Sequence, residues 1–247
     1  QMDSVEALLQ TLSATSMYHS STIKLAQLSV PIHICDKWAT KDAYPGFDLL
    51  RLVCLHPGGA AVLGASSSSG AIITKVLALL EGGQSFTATP DATRLTCLKF
   101  LNNTFKSDEM RASLYLHGAN GSTGHSALQR ILGICQTQAS SAAGMSKSMR
   151  SATCILIGNL IVASFASPEA RSLLFNSPKY LETLMHTSYA ALSQESNEDG
   201  KGSAENIFLL LNGIGTLATH QQLGADLIAK VKASSNGNTD AISFRKK

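Results

Sequence analysis

Tyr44-Pro45-Gly46-Phe47-Asp48-Leu49-Leu50-Arg51-Leu52-Val53-Cys54-Leu55-His56-Pro57 is the stretch that decides the fold. Pro45 fixes φ and blocks a helix arriving from the N-terminal side, so a new helix starts beside it. Phe47, Leu50, Leu52, Val53 and Leu55 make that helix apolar nearly all round, the pattern of a buried helix. His56-Pro57-Gly58-Gly59 predicts its end, because the residue before a proline leaves the helical region. Arg51 is the one cation in the run. Either it is buried and paired with Asp48, three residues earlier, or it faces a groove that supplies a partner.

The unit recurs. Residues 95–105, 151–165 and 207–217 are also apolar helices punctuated by one polar group. Asn103, Asn159 and Asn212 stand 56 and 53 residues apart. A buried helical unit at a loose period of about 40 to 50 residues is the signature of armadillo and HEAT arrays. The expected fold is therefore all-α, an armadillo-like helical repeat array (α-solenoid). No segment keeps the period-two alternation of a strand. In such arrays the central helices line a concave face, where an Asn amide can bond a peptide backbone.

Outward from these helices, residues 5–12 and 23–28 read as two short N-terminal helices, the second stopped at Pro31. Trp38 reads as an anchor laid against the first repeat. Residues 1–43 are then an N-terminal extension packed on that repeat, and 1–233 form one domain. Helices follow at 59–65 and 71–80, 90–105 and 108–116, 127–135, 147–165, 169–175 and 179–192, and 204–219 and 222–233, and residues 234–247 read as a flexible tail. The start at Gln1-Met2, with no leader, fits a piece of a longer protein.

Bulk composition narrows the function. Charged residues are 15% of the 247, against roughly 25% in an average domain. A net charge of +3 makes no case for a nucleic-acid or membrane surface. Cys35, Cys54, Cys97, Cys135 and Cys154 show no CxxC spacing, and four of them lie in apolar helical runs. They point to a reducing compartment, cytoplasm or nucleus. No apolar run reads as a membrane span of about 18 residues. The seven histidines form no metal-ligand grouping, and no cofactor is expected. Residues 64–71, Gly-Ala-Ser-Ser-Ser-Ser-Gly-Ala, lack the Gly-Lys-Ser/Thr ending of a phosphate loop. His33 and Cys35 are the nearest thiol–imidazole pair, but residues two apart do not face each other on a helix. The sequence thus reads as a binding module and not an enzyme.

Tyr44-Pro45 with Asp48-Leu49-Leu50-Arg51-Leu52 and His56-Pro57 resembles the opening signature of the PUL domain. That domain occurs at the C-terminus of phospholipase-A2-activating protein and its fungal ubiquitin-fusion-degradation counterpart. Leu98-Lys99-Phe100-Leu101-Asn102-Asn103, the block from Ala152 to Asn159, and Ile214-Gly215-Thr216-Leu217 follow in family order. The resemblance implies an adaptor that captures the C-terminal tail of the hexameric AAA segregase ATPase, valosin-containing protein, in a basic concave groove. Ubiquitin-pathway proteins would then be engaged through other domains of the parent. It also allows fusion to a thioredoxin-like or deSUMOylating cysteine-peptidase module, or a structural scaffold with another peptide ligand. Arg51, Lys99, Asn103, Arg150, Asn159 and Asn212 are the expected groove residues. Two departures stand out. Lys99 replaces a family Arg, keeping charge without the two-point fork, and Leu209 replaces another. Arg150 is the candidate to stand in for the second.

Overall fold

The computed structural model describes residues 2–82, 89–117, 126–140, 145–175, 178–197 and 202–219. Among these there are twelve α-helices and no strand, so the all-α helical-repeat reading holds. The expected helix over 222–233 and the tail 234–247 lie outside the described residues. The chain divides into two compact units, Gln1–Ile134 and Cys135–Lys247.

The first unit holds α1 (Met2–Ser13), a 3-10 turn (Thr15–Met17), α2 (Leu25–Lys37), α3 (Tyr44–Val53), α4 (Pro57–Ala65), α5 (Ser69–Glu81), α6 (Asp91–Thr104) and α7 (Asp108–His117). The division falls inside α8 (Ala127–Ser140). The deciding stretch does form a helix with Pro45 in its first turn. It is buried on one face only, by Gly46, Phe47, Leu50 and Val53, while Leu49, Leu52 and Leu55 stay half-exposed. That face packs between α2 and α6, where Leu28, Cys35, Cys97 and Phe100 are also buried.

Two expectations at the N-terminus fail. Pro31 does not end the second helix; it lies inside α2, buried. An interior proline costs roughly 3 kcal/mol, and here the buried face of Leu28, Pro31 and Cys35 against α3 outweighs it. Trp38 is no anchor, since about half its surface (48%) is exposed.

His56 has a different task from the one its place after a helix suggests. It caps the start of α4, its Nδ1 accepting the Gly59 N–H at 3.0 Å. The chain turns by 115° between α3 and α4 at this point. Because Nδ1 accepts, Nε2 carries the proton and donates to Ser21 Oγ at 2.9 Å. His56 therefore cannot serve Ser21 as a base. The ring is fully buried, stacked obliquely on Tyr18, and burial holds its pKa below the ordinary 6.5. The unfolded chain takes up the proton more readily, so stability is complete above pH 6.5 and declines as pH falls toward the lower folded value. A urea-midpoint titration should show this decline. His56→Asn, which keeps a cap, should flatten it, whereas His56→Ala should cost about 1 kcal/mol at neutral pH.

The serine-rich stretch joins α4 to α5. Ser69 Oγ donates to Ser66 O at 2.9 Å and receives Ser113 Oγ at 2.8 Å, which ties α5 to α7. The Ser69 hydroxyl is structural. The helix α5 ends, as the glycines predict, at Gly82 in the left-handed region (φ 62°).

The second unit holds α9 (Lys147–Ala166), α10 (Pro168–Phe175), α11 (Pro178–Asn197) and α12 (Ala204–Ala218). Against the sequence reading, α9 is long and apolar enough to cross a bilayer, but 67% of its most apolar 18-residue stretch is buried within the fold. It is the core helix of its unit. α11 runs five residues past its expected end at Leu192, into the polar stretch that starts at Ser193.

Candidate functional site

The repeat shows in how like helices meet. Thr93 Oγ1 in α6 donates to Thr40 O just before α3, and Asn103 Nδ2 donates to Arg51 O at 2.8 Å. The two contacts climb α3 and α6 together, so these helices run parallel. In the second unit Ser151 Oγ donates to Asn206 Oδ1 at 3.2 Å, and a Cβ on Gly158 would lie 3.0 Å from Leu209 Cδ1. One on Gly213 would come within 2.6 Å of Ile161 Cδ1. Those contacts also climb together, so α9 and α12 are parallel and in close contact. Side-by-side parallel helices about fifty residues apart are what a helical repeat builds.

On the first unit, the structure brings Arg51, Lys99 and Asn103 to the α3/α6 pair. Arg51 is paired with Asp48, its Nε and Nη2 at 2.8 and 2.7 Å from Oδ1, with 22% of the side chain exposed. Asn103 does not project beside Lys99. It is buried, and its amide satisfies one of the carbonyls left open at the C-terminal end of α3. Lys99 is exposed. It has no ion pair among the described residues, whereas Arg94 lies by Asp91 at 3.3 Å.

On the second unit, Arg150 is not a surface cation. It is 8% exposed; Nε reaches Glu195 Oε1 at 3.3 Å and Nη1 donates to Met145 O at 3.1 Å. Glu195 Oε2 accepts the Ser203 N–H at 2.8 Å, just where α12 begins. Asn159 is half-buried and Asn212 exposed on the outer faces of α9 and α12. Leu209, in the place of the family Arg, is half-buried against Gly158.

Sequence reasoning missed Glu195, which sits in a run of Ser, Gln, Glu and Asn that reads as loop. It also missed that Ile155, Val162, Phe208 and Leu211 are exposed. Nothing in their periodicity marks them.

Thiol chemistry finds no support. All five cysteines are free and buried. Burial pushes the Cys35 and Cys154 thiols up to about 12 and raises the other three as well. Such thiols are protonated and inert near neutral pH. Among the described residues no cluster of His, Cys, Asp and Glu could hold a metal.

No curated protein and no solved structure matches the chain. The PUL domain family model matches residues 1–242. With the Tyr44–Pro57 signature folded as α3 and its parallel partner α6 in place, the chain belongs to the PUL domain family, a family of protein-interaction modules.

Proposed function

We propose that this chain is an adaptor that captures the acidic C-terminal tail of the AAA segregase ATPase, valosin-containing protein, in ubiquitin-dependent protein turnover. The observation that supports it most directly is Lys99, an exposed cation on α6, the helix that packs against α3. Arg51 is a second carboxylate contact, reached by exchanging the half-exposed Asp48 for a ligand carboxylate. Taken by itself, the second unit offers the amides of Asn159 and Asn212 as groups that can bond a peptide backbone. Asn103 and Arg150 serve the same faces from beneath, by fixing the end of α3 and the start of α12. The five free thiols support work in a reducing compartment, cytoplasm or nucleus.

Fluorescence anisotropy with a labelled tail peptide ending in acidic residues tests this. Lys99→Glu should weaken binding by about 1–3 kcal/mol, roughly fivefold to 140-fold, with unchanged circular dichroism. Added salt should weaken wild-type binding too, because the contact is exposed. Unaltered affinity in Lys99→Glu would remove the tail from this face.

A further inference from the structure

Asp48, Arg51 and Lys99 stand on one side of the α3/α6 pair. The amide of Asn103, bonded to Arg51 O, marks where the two helices face each other. At 3.6 residues per turn, Arg51 and Asp48 lie about 40° and 100° forward of Phe47 on α3. Exposure rises along that turn, from buried Phe47 through Arg51 to Asp48. On α6, Asn103 and Lys99 lie about 60° and 100° backward of Phe100. Exposure rises there too, from buried Phe100 through Asn103 to Lys99. Forward on one helix and backward on its parallel neighbour lead to the same side of the pair. The levels also agree. Lys99 is four residues before Asn103 and Phe47 four before Arg51, a step of about 6 Å on each helix. Lys99 is therefore about level with Phe47 and Asp48.

The pairing between Asp48 and Arg51 is a poor match. Arg51 Nε and Nη2 both point at one oxygen, Oδ1, at 2.8 and 2.7 Å. A guanidinium edge is matched best by two carboxylate oxygens side by side. Asp48 is also 43% exposed and three residues away on the same helix, the setting in which an ion pair is weak. We infer that Asp48 is an internal competitor for an acidic ligand, holding Arg51 until a ligand carboxylate that offers both oxygens replaces it. This rests on the reading that the α3/α6 face takes an acidic peptide, and it adds the residue that limits the affinity. Charge sets the sign. Arg51 and Lys99 are cations and Asp48 is the carboxylate between them, so removing Asp48 raises the net positive charge of the face. The ligand that fits has two carboxylates, one for Lys99 and one for Arg51. Alternate residues of an extended segment place them on the same side.

The test is fluorescence anisotropy of the whole chain with a labelled, C-terminally amidated octapeptide of Gly and Ser that carries Asp at positions 3, 5 and 7. A second peptide with Asn at those positions is the control. Asp48→Asn, which keeps the size of the side chain, should tighten the Asp peptide roughly tenfold, the low end for a hydrogen bond to a charged group. The Asn peptide should not respond, and circular dichroism should not change. Asp48→Glu, which still reaches Arg51, should bind like wild type. In an Arg51→Gln chain, Asp48→Asn should bring no gain, which separates competition from an effect on helix stability. Lys99→Glu should weaken binding with or without Asp48→Asn and leave the tenfold step between the two. The two readings therefore fail separately. No gain from Asp48→Asn while Lys99→Glu still weakens binding overturns the competitor alone. A gain that persists in Arg51→Gln overturns it as well. If neither Asp48→Asn nor Lys99→Glu alters binding, the acidic-peptide reading of this face falls with it.

Discussion

Glu195→Ala is expected to destabilise the second unit by about 3–5 kcal/mol, the cost of leaving a buried charge without its partner. Both members of the pair are nearly sealed from solvent, with 9% and 2% of their side chains exposed. The deletion does two separate harms. Arg150 is left as a buried guanidinium without its carboxylate, although the Met145 carbonyl still accepts from it. The Ser203 N–H loses its acceptor where α12 starts, although the Ser203 hydroxyl still caps the Asn206 N–H. Replacing the pair together, Arg150→Met with Glu195→Leu, should recover most of the loss, because apolar isosteres of a buried ion pair are often neutral or better. Urea denaturation of the single and double variants checks both statements. Alkylation adds a local reading: Cys135 and Cys154 belong to this unit, and in Glu195→Ala they should label faster. If Glu195→Ala is as stable as wild type, the pair contributes nothing and α11 is held by packing alone.

The helices themselves were legible, because apolar residues at helical spacing are set by local chemistry. Phe47, Leu50 and Val53 are buried where their spacing places them. What failed depends on partners distant in sequence. Pro31 reads as a stop only if its helix stands alone; packed on α3, the helix continues. Glu195 reads as loop until Arg150, 45 residues away, draws it inside. Asn103 reads as a groove residue by its spacing from Asn159 and Asn212, but the open end of α3 takes its amide first. The candidate surface divides in the same way. Lys99 could be recognised from sequence as a cation among apolar neighbours. The exposure of Val162 and Phe208 could not, since an exposed apolar side chain and one buried in the core have the same hydropathy. Leu209 shows the limit most clearly. Alignment marks it as a missing charge, whereas its contact with Gly158 shows it filling the gap between two parallel helices.

Phe47→Ala should cost the first unit about 3–5 kcal/mol, the usual range for emptying a buried aromatic site. Phe47 is fully buried on the face of α3 that packs against both α2 and α6, so the cavity weakens two helix interfaces at once. Little can move in to fill it. Gly46 already lets α2 approach so closely that a Cβ there would stand 2.8 Å from Ile34 Cγ2 and 2.9 Å from Cys35 Sγ. The loss can be followed through thiols that report on place. Cys35, Cys54 and Cys97 are buried in this unit, at 1%, 3% and 0% exposure. They react with alkylating reagents only when the structure opens. A 3 kcal/mol loss should therefore speed their labelling by roughly a hundredfold, as a tenfold change corresponds to about 1.4 kcal/mol. Cys135 and Cys154 should keep their wild-type rates if the two compact units open separately. Mass spectrometry of tryptic peptides after timed labelling separates the five sites in one experiment. Equal acceleration at all five would show that the fold opens as a single cooperative whole. Unchanged rates at Cys35, Cys54 and Cys97 would mean that the stretch from Tyr44 to Val53 is not what holds the first unit together.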